Sequence, residues 1–143
     1  MPKRKKTTVA QEVEKAAKLL QRLVRLKASD DNGYCQCVTC GKIDHYKAMQ
    51  GGHFIPRGRT VFKLYEPNIQ VQCPSCNLWG MKQAHYVLRY RQWMVDTYGE
   101  CRVKAMERLA WRASPKFYRE EVIQFARELK EQVKEEEYRV GEY

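Results

Sequence analysis

From Val9 to Lys27, apolar residues at positions 9, 13, 16, 17, 20, 23 and 24 recur every three or four places, with Lys15, Lys18, Arg22 and Arg25 between them. That spacing predicts an amphipathic helix with a basic outer face. The pattern stops at "ASDDNG", residues 28–33, whose Asp, Asn and Gly favour turns. Residues 34–77 lose the helical period and hold five of the six cysteines and two of the three histidines. Within them "HFI" and "NIQVQC" are predicted strands, Ile69 and Val71 alternating with Gln70 and Gln72 as in a half-buried strand. Helical spacing returns from Leu78 to Tyr98 through Tyr86, Tyr90, Trp93, Met94 and Tyr98, and Gly99 is a natural stop. It continues through "ECRVKAMERLAWRA" and breaks at Ser114-Pro115, which reads as the cap and first turn of a further helix. In that last helix Glu alternates with Lys and Arg at four-residue spacing, the pattern of a solvated helix docked by one face. The fold class is α+β and mostly helical, with a small irregular centre that carries the chemistry.

Charge changes the picture by pointing to a partner. Residues 1–100 hold 17 basic and 8 acidic side chains, and residues 101–143 hold 10 and 9, so nearly all of the net +10 lies with the first hundred residues. Such a field attracts polyanions, nucleic acid first among them. No apolar run approaches the roughly 18 residues of a membrane span. The start, "MPKRKKTTVAQEVEKAA", lacks the apolar stretch of a signal peptide. The expectation is an intracellular protein with reduced thiols, in which six cysteines point to metal rather than disulfides.

The cysteines bear this out in their spacing. "CVTC" at 37–40 and "CPSC" at 73–76 are two Cys-x-x-Cys units, and Cys37, Cys40, Cys73 and Cys76 together suit the tetrahedral thiolate preference of Zn2+. Each unit is followed by a residue that tolerates a left-handed backbone, Gly41 and Asn77. A four-thiolate site has no open position, so this zinc is structural and catalysis must come from elsewhere. Cys35 is out of step, and the short Cys-Gln-Cys bite disfavours it as a substitute for Cys37. Cys101, alone in a helix, reads as a buried small hydrophobe. The zinc pins residues 41–72 as a loop with joined ends, and His53, Arg57, Arg59 and Asn68 lie inside it.

A strand bearing His53, a second bearing Asn68 and a helix starting near Asn77 can converge on one phosphate. Phosphodiester hydrolysis needs a base, a group that fixes the base's tautomer and a cation for the developing charge. His53 suits the first role, Asn68 the second, and a divalent ion near Asn77 the third. The residues "CVTCG…GGHFIPRG…EPNIQVQCPSCN" resemble the phage NinG, or Rap, recombination proteins, which are similar to HNH, or ββα-metal, endonucleases. The resemblance runs from "LLQRLVRLKASDDNGYCQCVTCG" to about "YGE" at 98–100. It implies a phage-encoded nuclease in the bacterial cytoplasm, acting on branched recombination intermediates of the Holliday-junction type. It further implies His53 as general base, Asn68 as the middle residue of the triad, Asn77 in the third position, and the four paired cysteines on zinc.

On this basis residues 1–8 are a basic mobile arm, 9–100 a zinc-stabilised HNH-like nuclease domain with its N-terminal helix, and 101–143 a helical C-terminal extension. Two departures from the broader HNH pattern matter: Gly52 stands where many such enzymes place a metal-binding Asp, and Asn77 stands in place of His. Both leave a weak, oxygen-biased site suited to Mg2+ or Mn2+. His85 would lie about 12 Å along an unbroken helix from Asn77 and about 80° around it, so it reaches the same metal only if Gly80 breaks that helix. His45, beside Asp44, reads as a loop residue. Arg57, Arg59, Lys63, Lys82, Arg89 and Arg91, with Lys3, Arg4, Lys5 and Lys6 of the arm, are the candidate phosphate contacts. Two coordinated nicks across a junction suggest a homodimer, with the C-terminal helices as its interface, and recombination suggests a recombinase partner. The alternatives are a non-catalytic zinc-stabilised DNA-binding protein and a helical interaction module.

Overall fold

The computed structural model describes residues 1–56, 62–112 and 116–142. Helix α1 (Val9–Lys27) opens with a reciprocal cap in which Thr8 and Gln11 satisfy each other's backbone N–H groups. Its apolar stripe, Val13, Ala16, Ala17, Leu20, Leu23 and Val24, is buried as the spacing requires. Strands β1 (Tyr34–Gln36) and β2 (Ile43–His45) form one antiparallel pair, and β3 (Gln50–His53) and β4 (Ile69–Gln72) form another, with His53 opposite Ile69 and Gly51 opposite Val71. Helices α2 (Pro74–Leu78), α3 (Ala84–Tyr98), α4 (Glu100–Leu109) and α5 (Arg119–Arg139) follow.

The sequence reading is corrected in four places. The first pair of strands went unread because β1 and β2 are three residues each, too short to show a period. Strand β3 ends at His53 rather than starting there, although Phe54 still donates its N–H to the Asn68 carbonyl at 2.9 Å. The helix expected from Leu78 is broken: α2 ends at Leu78 and a 3₁₀ turn at Gly80–Lys82 intervenes, Gly80 lying so close to Tyr86 that an added Cβ would meet its ring at 3.0 Å. Cys101 is exposed, because Val103 and Met106 take the buried face of α4. The helix-start signal at Ser114-Pro115 lies outside the described residues, and α5 itself begins at Arg119.

Two cores result. One packs α1 against α5, through Val122, Ala126, Leu129 and Val133, and against Cys35, Ile69, Val71, Cys37, Cys73 and Cys76. The second is richer in aromatic side chains: Phe54, Ile55 and Phe62 from the loop after β3 meet Tyr90, Met94, Val103 and Met106 from α3 and α4. Helices α1 and α5 run parallel. Arg119 at the start of α5 donates to the Thr7 carbonyl at 2.9 Å, and Arg139 at its end donates to the carbonyls of Leu26 and Ser29 at 2.8 and 3.0 Å. The buried face of α5 is therefore covered by α1. No described helix is long and apolar enough to cross a membrane.

Candidate metal centre and catalytic cleft

The turn between β1 and β2 carries Cys37 and Cys40, the end of β4 leads into Cys73, and α2 carries Cys76. Their four sulfurs lie within 4.8 Å of one another, and the Cys40 and Cys73 sulfurs are 3.7 Å apart. Thiolates at the corners of a tetrahedron with 2.3 Å Zn–S bonds stand about 3.8 Å apart, so the donor set could hold zinc with contractions of no more than about 1 Å. Local backbone chemistry shapes the first turn: Gly41 has φ +81° and donates to the Cys37 carbonyl, while the Val38 N–H bonds Val71 of β4 at 2.9 Å. Asn77 needs no such freedom, since it sits in helical backbone. Burial pushes the Cys40 and Cys76 thiols above their ordinary value. At Cys37 burial acts the same way but is outweighed by backbone hydrogen bonds, which lower it. Four sulfurs this close ionise together only around a cation. Cys35 is buried in the first core and stands outside the cluster.

Beside this centre opens a cleft of about 490 Å³ lined by Gln21, Gly51, His53, Pro56, Asn77 and Val87 among others. His53 and Asn77 therefore do converge. The Asn77 amide is oriented by its Nδ2, which donates to Gln50 Oε1 at 2.7 Å, and its Oδ1 accepts no hydrogen bond among the described residues. No carboxylate lines the cleft among the described residues.

The glycine pair before His53 has a steric cause. A Cβ on Gly51 would stand 2.8 Å from the Gln21 Cβ of α1, and one on Gly52 would stand 1.8 Å from Gln72 Oε1. A side chain at position 51 meets α1, and an Asp at position 52 fits only if the Gln72 side chain moves. Gln72 is fully buried, and its Nε2 donates at 2.9 Å to Thr39 Oγ1, inside the first cysteine turn. The Gly52 carbonyl accepts from the Tyr90 hydroxyl at 2.8 Å, and burial, pushing that phenol well above its usual pKa, keeps it a donor. The strand carrying His53 is thus tied to the metal centre on one side and to α3 on the other.

Asn68 does something other than set the His53 tautomer. Wholly buried, it accepts from the Ile55 N–H at 2.8 Å and donates to the carbonyls of Ile55 at 3.0 Å and Phe62 at 3.4 Å. All of these are backbone groups of the loop after His53, so Asn68 braces the loop. His85 stays outside the cleft even though Gly80 breaks the helix. It is exposed on α3, and the two residues separating it from the cleft-lining Val87 turn it about 200° around the helix. His45 ends β2, accepts from the Lys47 N–H and packs on Tyr34 and Tyr46.

The candidate phosphate contacts divide. Arg91, partly exposed, is paired with Glu107 at 2.9 Å and Glu100 at 3.5 Å. Lys82 and Arg89 are exposed, lie over the rings of Trp79 and Tyr86 at 5.6 and 5.8 Å, and pair with no carboxylate among the described residues. Lys63 is half-buried, Lys3, Arg4, Lys5 and Lys6 are exposed, and Arg57 and Arg59 lie outside the described residues. Sequence reasoning missed Gln50, which orients Asn77, and the Thr39–Gln72 tie; neither bears a local signal, though the glycine pair announced a close approach.

Residues 2–138 match the family described as Bacteriophage Lambda NinG protein. Neither a curated protein nor a solved structure matches the chain.

Proposed function

This chain belongs to the NinG family, and we propose that it is a metal-dependent, structure-selective DNA endonuclease acting on branched, Holliday-type intermediates of phage recombination in the host cytoplasm. The convergence of His53 and Asn77 in one cleft beside the cysteine cluster carries this reading. In it His53 takes a proton from the attacking water, and the brace made by Asn68 holds the following loop against the phosphate. Asn77 Oδ1, with phosphate oxygens of the DNA, would hold Mg2+ or Mn2+, which offsets the charge developing on the phosphate. Lys82, Arg89 and the basic arm supply sequence-independent contacts. A homodimer would deliver two nicks.

The missing carboxylate favours a second reading, a non-catalytic zinc-stabilised DNA-binding protein of phage recombination. Incubating wild type and His53→Ala with a four-way junction or a linear duplex, in Mg2+ or Mn2+, separates the two. Nicking of the junction by wild type is expected, reduced at least about 100-fold by the substitution. Binding without nicking establishes the second reading, and cleavage that survives His53→Ala removes His53 as base.

A further inference from the structure

Helices α1 and α5 meet along a seam whose two ends differ in charge. Toward one end Arg22 of α1 pairs with Glu137 of α5 at 2.8 Å. Toward the other the same helices wall a groove of about 280 Å³, with Leu19, Ile123 and Ala126 as its apolar lining and Lys15, Arg127 and Lys130 as its cations. All three cations are exposed, and none pairs with a carboxylate among the described residues. On α5 the carboxylates next to them in sequence are engaged elsewhere: Glu128 accepts from Gln124 at 3.2 Å and Glu131 pairs with Lys134 at 3.4 Å. Glu12, also in the groove, is buried and accepts from the Thr7 hydroxyl. Three cations against that one carboxylate leave a positive surplus, although α5 is rich in Glu. Like charges gathered in one groove without a counter-charge from the protein attract an anion from outside.

The basic arm adds to them. Thr7 is anchored through its carbonyl by Arg119 at 2.9 Å and bonds the groove's Glu12, so the chain carrying Lys3, Arg4, Lys5 and Lys6 leaves from the groove's edge. Lys15 precedes Gln21 of the His53 cleft by six residues, which is about 9 Å along α1 and about 120° around it. Groove and cleft therefore face different directions from one helix. We propose that the groove, with the arm beside it, binds the sugar–phosphate backbone of a second arm of a branched DNA whose first arm enters the His53 cleft. The choice of branched DNA rests on the nuclease reading above; the polyanion site rests on the unpaired cations. Such contacts carry no base information, so they select for the number and direction of the arms rather than for sequence.

The test measures binding of a four-way junction and of a short linear duplex over a series of salt concentrations, without divalent ions. Replacing Lys15, Arg127 and Lys130 together by Ala should weaken junction binding at least about tenfold and lower its salt slope by about 2 to 3, with duplex binding close to wild type. Arg127→Glu, a single exposed substitution, should act in the same direction. Circular dichroism and zinc content verify that the variants fold. Lys134→Ala, which removes the same charge from the cation paired with Glu131, should bind the junction as wild type does. An unchanged junction affinity and slope in the triple variant overturn the proposal. An equal loss with the linear duplex does so too, because the groove would then not hold a separate arm. So does a loss per charge as large for Lys134→Ala, which would make net charge the cause. Groove-dependent junction binding in a protein that never nicks sustains the groove and refutes the nuclease, whereas nicking with no groove dependence of binding refutes the groove alone.

Discussion

Helix α1 is packed on one flank by α5 and on another by the β3–β4 hairpin, and the second contact has a feature that the first lacks. Against α5, bulk does the work: Val122, Ala126, Leu129 and Val133 share a core with Leu20 and Leu23. Against the hairpin, Ile69 and Val71 join that same core, and the absence of a side chain adds a closer approach, since Gly51 lets Gln21 come to a distance that a Cβ would forbid. Aliphatic packing tolerates exchange of one methylene for another, whereas a contact built on missing atoms tolerates nothing larger. The hairpin flank is also the one tied to the cysteine cluster, through Thr39 and Gln72. The helical flank should therefore behave as a self-sufficient scaffold and the hairpin flank as a metal-dependent one.

Removing zinc is the strongest way to break that contrast. Chelation, or Cys73→Ser, should abolish the ordering of the β3–β4 flank while most helical circular dichroism persists, because structural zinc contributes on the order of 10 kcal/mol. Metal analysis should give one zinc per chain, and full loss of helix on chelation would show that the flanks do not separate. Next comes Gly52→Asp, which restores the carboxylate of the broader HNH pattern. Driven into Gln72, it should cost about 3 kcal/mol in denaturant unfolding. A variant that kept its stability and bound Mn2+ more tightly would mean that the lost Asp, not the packing, explains the glycine. Asn68→Ala strips three hydrogen bonds from the loop after His53 and should cost about 2 kcal/mol, with increased proteolysis after Ile55. Arg91→Ala, which removes only a partly exposed ion pair with Glu107, should change stability by less than about 1 kcal/mol and duplex affinity hardly at all. A large loss of duplex affinity would return Arg91 to the DNA contacts.

What could be read from the sequence follows the same division. Helix α1 was legible to its ends, because seven apolar residues at helical spacing and a turn-forming stop encode it locally, while its Thr8–Gln11 cap went unread. The cysteine cluster was legible because metal chemistry fixes residue type and spacing together. Gly52 was legible as a departure but not in its cause, for nothing near position 52 announces that Gln72, twenty residues on, fills the space. Asn68 was identified while its partners were not: its hydrogen bonds go to backbone carbonyls and an N–H, which every residue carries alike. His85 drew attention through its residue type, and its exposed position on α3 shows how little type says without a face to point from.

The parallel course of α1 and α5 bears on how the chain is made. Thr7 and Arg119 meet at one end of the pair, Leu26 and Arg139 at the other, so every contact between the two helices joins residues about a hundred positions apart. A ribosome releases α1 well before α5, with its leucine stripe bare until the helix that covers it emerges. Contacts of such long range form slowly, and the exposed stripe is a point of misassociation while they are pending. The hairpins and their cysteines emerge in between, so a metal held there would be captured before α5 closes over α1.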